Sequence, residues 1–120
     1  MPVTRKTVVV RDLAIQLSIG VHDHEKLAPQ RLLVSVEADL AVKDDEHDAV
    51  SATLDYDVIC DFVRALAREP HVELQETVAR RILSFILSLP SVEAARVSTR
   101  KPDVFDDCRY VGVVLEGCNR

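Results

Sequence analysis

The sequence predicts an α+β fold of order ββααββ, a four-stranded antiparallel sheet with two helices covering one face. Three observations predict it. Two runs of apolar–polar alternation open the chain, and two stretches of helical apolar spacing fill its middle. The internal prolines, Pro29, Pro70, Pro90 and Pro102, all fall where one pattern stops or another starts.

The first strand is expected over residues 7–19. Leu13, Ile15, Leu17 and Ile19 alternate there with Ala14, Gln16 and Ser18, and Arg11-Asp12 marks a bend. The second is expected over residues 30–40, where Leu32, Val34, Val36, Ala38 and Leu40 alternate with Arg31, Leu33, Ser35, Glu37 and Asp39. Hairpin loops usually run about 2–5 residues. The segment joining these strands, G-V-H-D-H-E-K-L-A-P-Q, is longer and carries two histidines and a glutamate, which invites a functional reading. The polar, acidic stretch 43–51 reads as a mobile loop.

A first helix is expected over 57–68, with Val58, Ile59, Phe62, Val63, Leu66 and Ala67 on its apolar side and Asp55 or Asp57 as N-cap. A second is expected over 74–89, burying Val78, Ile82, Phe85, Ile86 and Leu89, with Glu76 in its first turn. Val92–Lys101 reads as the third strand and 110–116 as the fourth. The sheet face away from the helices carries Ala14, Gln16, Ser18 and Ser35. A small sheet with a polar face and two open edges is expected to assemble with copies of itself.

Composition narrows the function. At 120 residues the chain is expected to form one domain, 1–120, around one core. An apolar share of 48% argues against disorder, and a 4% aromatic share without Trp makes the core aliphatic. It also leaves no platform for stacking nucleobases. A net charge of −5 with scattered arginines argues against nucleic-acid binding. The opening segment, M-P-V-T-R-K-T-V-V-V, is neither a signal peptide nor a membrane span, so no membrane partner is expected. Cys60, Cys108 and Cys118 lack metal-ligand spacing and read as reduced thiols in a cytoplasmic protein.

Four polar residues sit where elements meet: Glu25 in the long loop, Tyr56 in T-L-D-Y-D, Glu76 in E-L-Q-E-T and Lys101 in S-T-R-K-P. Each has an ordinary structural reading. A glutamate in a helix's first turn complements the macrodipole, a lysine before proline is a solvated strand end, and a tyrosine near a cap packs its ring. The case for chemistry rests on the set.

The set G-V-x-x-x-E-x-x-x-x-Q, T-x-x-Y, L-x-E-T and K-P followed eight residues later by V-G-V resembles dihydroneopterin aldolase, in order and over residues 7–116. The resemblance implies the tunnelling fold, whose subunits close their sheets into a barrel as a homo-oligomer, tetramer or octamer, with sites between subunits. It implies a retro-aldol cleavage in folate synthesis with no metal and no cofactor: dihydroneopterin loses glycolaldehyde to give hydroxymethyl-dihydropterin. By the same resemblance Lys101 is the proton donor and acceptor, acting through water. Tyr56 of a neighbouring subunit assists protonation of carbon. Glu76, with the backbone at Gln75, holds the pterin, and Glu25 lies by the substrate's side chain and ring nitrogens.

A lysine acting as base near neutral pH needs its pKa lowered by burial or a nearby cation. Arg100 is adjacent, although alternation along a strand directs it to the opposite face. Two departures stand out. Gln75 occupies a place where the family usually has an aliphatic residue, and P-D-V-F-D-D-C-R-Y after Lys101 is unusually acidic. Asp103, Asp106 and Asp107 read either as solvated surface carboxylates or as charges that exclude a triphosphate side chain, and the second reading weighs mildly against dihydroneopterin triphosphate epimerase, which shares the fold and much of the motif set. Epimerisation of dihydroneopterin at C2′, known in some aldolases, stays open.

Two other readings compete. His22 and His24 form an H-x-H pair like that of zinc-binding tunnelling-fold enzymes, but His47 and His71 lie in other loops and no third ligand is evident. Surface histidines are the simpler expectation. A catalytically silent oligomeric module that binds pterin or a protein partner is the other; the presence of all four of Glu25, Tyr56, Glu76 and Lys101 argues against it, since a silent relative is expected to lose Lys101 or Tyr56 first.

Overall fold

The computed structural model describes residues 2–43 and 47–119. Its elements run β1 (Lys6–Leu17), β2 (Gln30–Leu40), α1 (Tyr56–Ala65), α2 (Gln75–Leu87), β3 (Val92–Lys101) and β4 (Val111–Cys118). The sheet order is β1-β2-β3-β4, antiparallel throughout. This is the ββααββ order expected from the alternation and helical patterns. The acidic loop expected at 43–51 falls in part on residues 44–46, outside the described residues.

The expected bend in β1 is a bulge. Val10 pairs with Val36 and Leu13 with Val34, so Arg11 and Asp12 together face one residue, Ser35. The apolar pattern changes parity there, from Val8 and Val10 to Leu13, Ile15 and Leu17. The bulge keeps all five on one face. Asp12 takes φ +57°, and its amide donates to Ser35 Oγ at 2.9 Å. Aspartate tolerates that backbone region better than most residues. Ser35, expected on the outer face, is buried by this contact.

α1 starts because the Asp55 side chain accepts from the Asp57 amide at 3.0 Å. It ends earlier than expected, tightening into a 3-10 turn at Leu66–Arg68 before Glu69-Pro70. Ile59, Val63 and Leu66 face the core, whereas Val58 and Ala67 are exposed, because a helix this short buries a narrow stripe. α2 buries Val78, Ala79, Ile82 and Ile86 against β3 and β4. Phe62 of α1 and Phe85 of α2 stack with centroids 4.0 Å apart, locking the helices together. β4 lies slightly later than expected, running two residues past Glu116.

β1 also ends earlier than expected. Ile19 is buried but pairs instead with Val72 in an isolated parallel bridge. This bridge brings the loop after β1 to the connection between the helices, and it shapes the site. The sheet face away from the helices carries exposed Val9, Tyr110 and Val114 and a lattice of ion pairs, including Arg96 with Glu116 and Glu37.

Candidate active site

The segment 20–30 folds into a 3-10 turn at Asp23–Lys26 that turns Glu25 inward. Gly20 makes room. At φ +135° a glycine is favoured, and a Cβ there would coincide with the Glu25 carboxyl group. Gln30, the first residue of β2, donates from Nε2 to Ile19 O at 2.6 Å and to Glu25 Oε2 at 2.8 Å. The His22 amide donates to Glu25 Oε1 at 3.3 Å.

Lys101, the last residue of β3, points to the same place from the helix-covered face. Its Nζ donates to Glu25 Oε2 at 2.6 Å, and both side chains are only 10% exposed. Burial pushes the Glu25 carboxyl up. The hydrogen bonds from Lys101, Gln30 and the His22 amide outweigh that and hold it at about 2. Glu25 is therefore an anion at any physiological pH. Arg100, the neighbouring cation in sequence, lies on the other face, paired with Asp12 at 3.3 Å and stacked over the Tyr110 ring at 4.6 Å. The charge that faces Lys101 is a carboxylate.

Gln75 opens α2 and its side chain is buried rather than turned to an open pocket. Thr99 Oγ1 donates to Gln75 Oε1 at 2.8 Å, and Gln75 Nε2 donates to Val111 O at 3.1 Å. Thr99 stands two residues before Lys101 on the same face, and Val111 pairs with Lys101 across the strands. The glutamine thus fastens the start of α2 to the ends of β3 and β4 beside the lysine. Gly112 of V-G-V lets β4 run close to β3, since a Cβ there would run into Thr99 O.

Glu76 follows in the first turn of α2, exposed and without a hydrogen bond or ion pair among the described residues. Tyr56 is 60% exposed at the start of α1, and no hydrogen bond joins it to Glu25 or Lys101. One chain therefore brings together Glu25, Lys101 and, through Thr99, Gln75. Tyr56 makes no hydrogen bond to any of these three.

His22 and His24 stack with ring centroids 5.6 Å apart on the exposed side of the turn. Among the described residues no three His, Cys, Asp or Glu side chains gather as a metal site. Asp103 pairs with Arg31 at 3.3 Å, while Asp106 and Asp107 are exposed. No helix of the described residues is long and apolar enough to cross a membrane. Sequence reasoning missed His71 (half-buried against the Glu25 loop), Thr99 and the supporting part of Gln30. Gln30 had a signal in its place within the loop motif; His71 had none.

Comparison with known proteins bears on the family and the fold. The FolB dihydroneopterin aldolase family profile matches residues 8–116. The FolB structure from Vibrio cholerae superposes with TM-score 0.85 at 25% identity, covering 98% of this chain and 100% of that one. The dihydroneopterin aldolase of Burkholderia thailandensis, crystallised with guanine, gives TM-score 0.83 at 28% identity over 97% of this chain and 93% of that one. The Escherichia coli dihydroneopterin aldolase, crystallised with neopterin, gives 0.82 at 25% identity over 93% and 98%. The folic acid synthesis protein FOL1 of Dictyostelium discoideum is 26% identical over 91% of this chain, which spans 17% of that protein's length. The matched fold, the motif order and the family profile make this chain a member of the dihydroneopterin aldolase family.

Proposed function

We propose that the protein is a metal-free dihydroneopterin aldolase, a single cytoplasmic domain that acts on a pterin as a homo-oligomer. The observation that carries this reading is the buried Lys101–Glu25 pair, placed at the end of β3 beside the start of α2. A charged pair this far from solvent costs desolvation and is poor evidence of stability alone. The guanine and neopterin bound by the Burkholderia and Escherichia coli relatives support a pterin as its ligand.

The chemistry needs little else. The proton on the substrate's 2′-hydroxyl leaves through water toward Lys101, and the C2′–O bond becomes a carbonyl as C1′–C2′ breaks. The bonding pair forms C1′=C6 and displaces the C6=N5 pair onto N5, which takes a proton. Glycolaldehyde departs. C1′ then takes a proton as N5 gives up the one it gained, which restores the C6=N5 imine and yields the hydroxymethyl group. The ring is its own electron sink, so the protein supplies position and protons. Glu76 accepts the parallel N–H donors of the pterin's 2-amino group and ring nitrogen, with the backbone at Gln75 beside it. Glu25 holds Lys101 and faces the side-chain hydroxyls.

Tyr56 serves protonation of carbon in a neighbouring subunit's site. Its exposure at the start of α1, with no hydrogen bond to Lys101 or Glu25 of its own chain, supports that placement. The radius of gyration, 16.0 Å, exceeds the roughly 14 Å expected of a compact chain this long, which supports a subunit built for assembly. With Arg31 engaged by Asp103, and Asp106 and Asp107 exposed, the surroundings favour an uncharged side chain over a triphosphate.

The test is incubation of chelator-treated protein with 7,8-dihydroneopterin, following glycolaldehyde and 6-hydroxymethyl-7,8-dihydropterin. Both products should appear in equal amounts. Turnover that requires added zinc would replace the metal-free reading.

A further inference from the structure

His71 sits in the connection between α1 and α2, outside every motif that points to chemistry. Its ring bridges two residues of the segment leaving β1: Nδ1 lies 2.6 Å from Ser18 Oγ and Nε2 lies 2.8 Å from Gly20 O. A carbonyl oxygen can only accept, so Nε2 carries the proton, and in the neutral ring Nδ1 accepts from the Ser18 hydroxyl. The backbone closes the same contact. Gly20 N–H donates to Val72 O at 3.0 Å and Val72 N–H to Ser18 O at 3.1 Å.

Gly20 is the place where this contact bears on the site. The volume its missing Cβ would take is filled by the Glu25 carboxyl group. That carboxylate's seat is bounded by the Gly20 backbone, the His22 amide and the Gln30 side chain. A shift of Gly20 therefore moves the wall against which Glu25 rests, and with it the acceptor for Lys101. The connection that holds His71 continues into α2, whose first turn carries Glu76. One side chain thus ties the Glu25 loop to the start of the Glu76 helix.

We propose that His71 is a positioning residue: its Nε2–H holds the Gly20 carbonyl, fixing the seat of the Glu25 carboxylate and so the placement of Lys101, without touching substrate. Its effect on turnover rests on the aldolase reading; its effect on the Glu25 seat does not.

Two readouts on the full chain test this. The first is the ¹³C carboxyl shift of Glu25 followed against pH by NMR. In the wild type Glu25 stays ionised through pH 4, whereas in His71→Ala its titration moves up by a unit or more. An unmoved titration overturns the proposal whether or not the protein cleaves dihydroneopterin. The second is turnover. His71→Ala should lower kcat/KM at least tenfold, and in a Glu25→Ala background it should add no further loss, because a residue acting through Glu25 has nothing left to act on. Additive losses overturn the proposal.

Two amide variants separate the bonds and serve if His71→Ala does not fold. Glutamine reaches the Nε2 position and keeps the bond to Gly20, while asparagine reaches the Nδ1 position and keeps Ser18. His71→Gln should behave like wild type and His71→Asn like the alanine variant; the reverse order overturns the proposal. A wild type that leaves dihydroneopterin intact would defeat the aldolase reading, and the Glu25 titration would still decide the role of His71.

Discussion

Glu25 accepts a 2.6 Å hydrogen bond from Lys101 across 76 positions of sequence, from the loop after β1 to the last residue of β3. The other bonds to that carboxylate come from the His22 amide and Gln30, at the two ends of its own loop. The loop therefore presents a prepared anion to the strand end, and removing it leaves the lysine buried without a partner.

That arrangement gives Glu25 a pH signature. Its folded carboxyl sits at about 2 against an ordinary 4.5, so between those values the unfolded chain binds more protons. The stabilisation is complete above pH 4.5 and is lost as pH falls toward 2. Asp39 is also held low, first by the Thr7 hydroxyl and further by Arg5, so it contributes to acid unfolding in both proteins and cancels in a comparison. Glu25→Gln should cost about 3 kcal/mol near neutrality. The gap should narrow below pH 4.5 in urea unfolding; a constant gap would mean that Glu25 is not ionised in the folded protein.

Gly20→Ala should displace the Glu25 carboxyl group, whose position the new Cβ would occupy. The positive φ adds strain of about 1–3 kcal/mol. We expect lower thermal stability and at least a tenfold loss of turnover. A crystal structure of the variant with Glu25 still on Lys101 would refute the packing argument.

Gln75→Leu should leave the Thr99 hydroxyl, which is fully buried, without its acceptor. The cost should be about 1–3 kcal/mol. Adding Thr99→Val removes the orphaned hydroxyl and should recover much of it. If the double variant is less stable than the single one, the clamp between α2 and β3 is not what Gln75 supplies.

Glu76→Gln should weaken binding of the pterin product by about 1.5–3 kcal/mol, since one charge-assisted hydrogen bond is lost. Calorimetry measures it directly. Lys101→Ala should abolish turnover while keeping that binding, and a parallel loss of both would make Lys101 a binding residue.

Sites shared between chains make a quantitative demand. Lys101→Ala and Tyr56→Ala subunits, refolded together in equal amounts, give intact sites only where a chain supplying Lys101 meets a neighbour supplying Tyr56. Random assembly makes that about a quarter of sites. Mixed oligomers with no recovered activity would place both groups in one chain.

The fold was legible because it rests on periodic patterns. Alternation in β1 and β2, helical spacing in α1 and α2, and prolines at the boundaries are local consequences of which side chains must leave water. The bulge at Arg11-Asp12 shows in the sequence as a parity change in the apolar residues of β1. Lys101 and Glu25 were legible as members of a motif set, each tied to an element end. The direction of Arg100 followed from strand alternation.

What the sequence determined by itself is thus the order of elements, the aliphatic core and the candidate residues one by one. The tertiary structure decided which of them meet. Glu25 and Lys101 become partners because the sheet and the 3-10 turn bring distant segments together, and no local pattern encodes that contact. Gln75 was legible as a departure, but its burial against Thr99 and Val111 depends on where α2 lands on the sheet. His71 joins Ser18 and Gly20 across more than fifty positions through hydrogen bonds of one ring. Such contacts are set by packing between elements, where a single donor finds its acceptor only after the chain has closed around it.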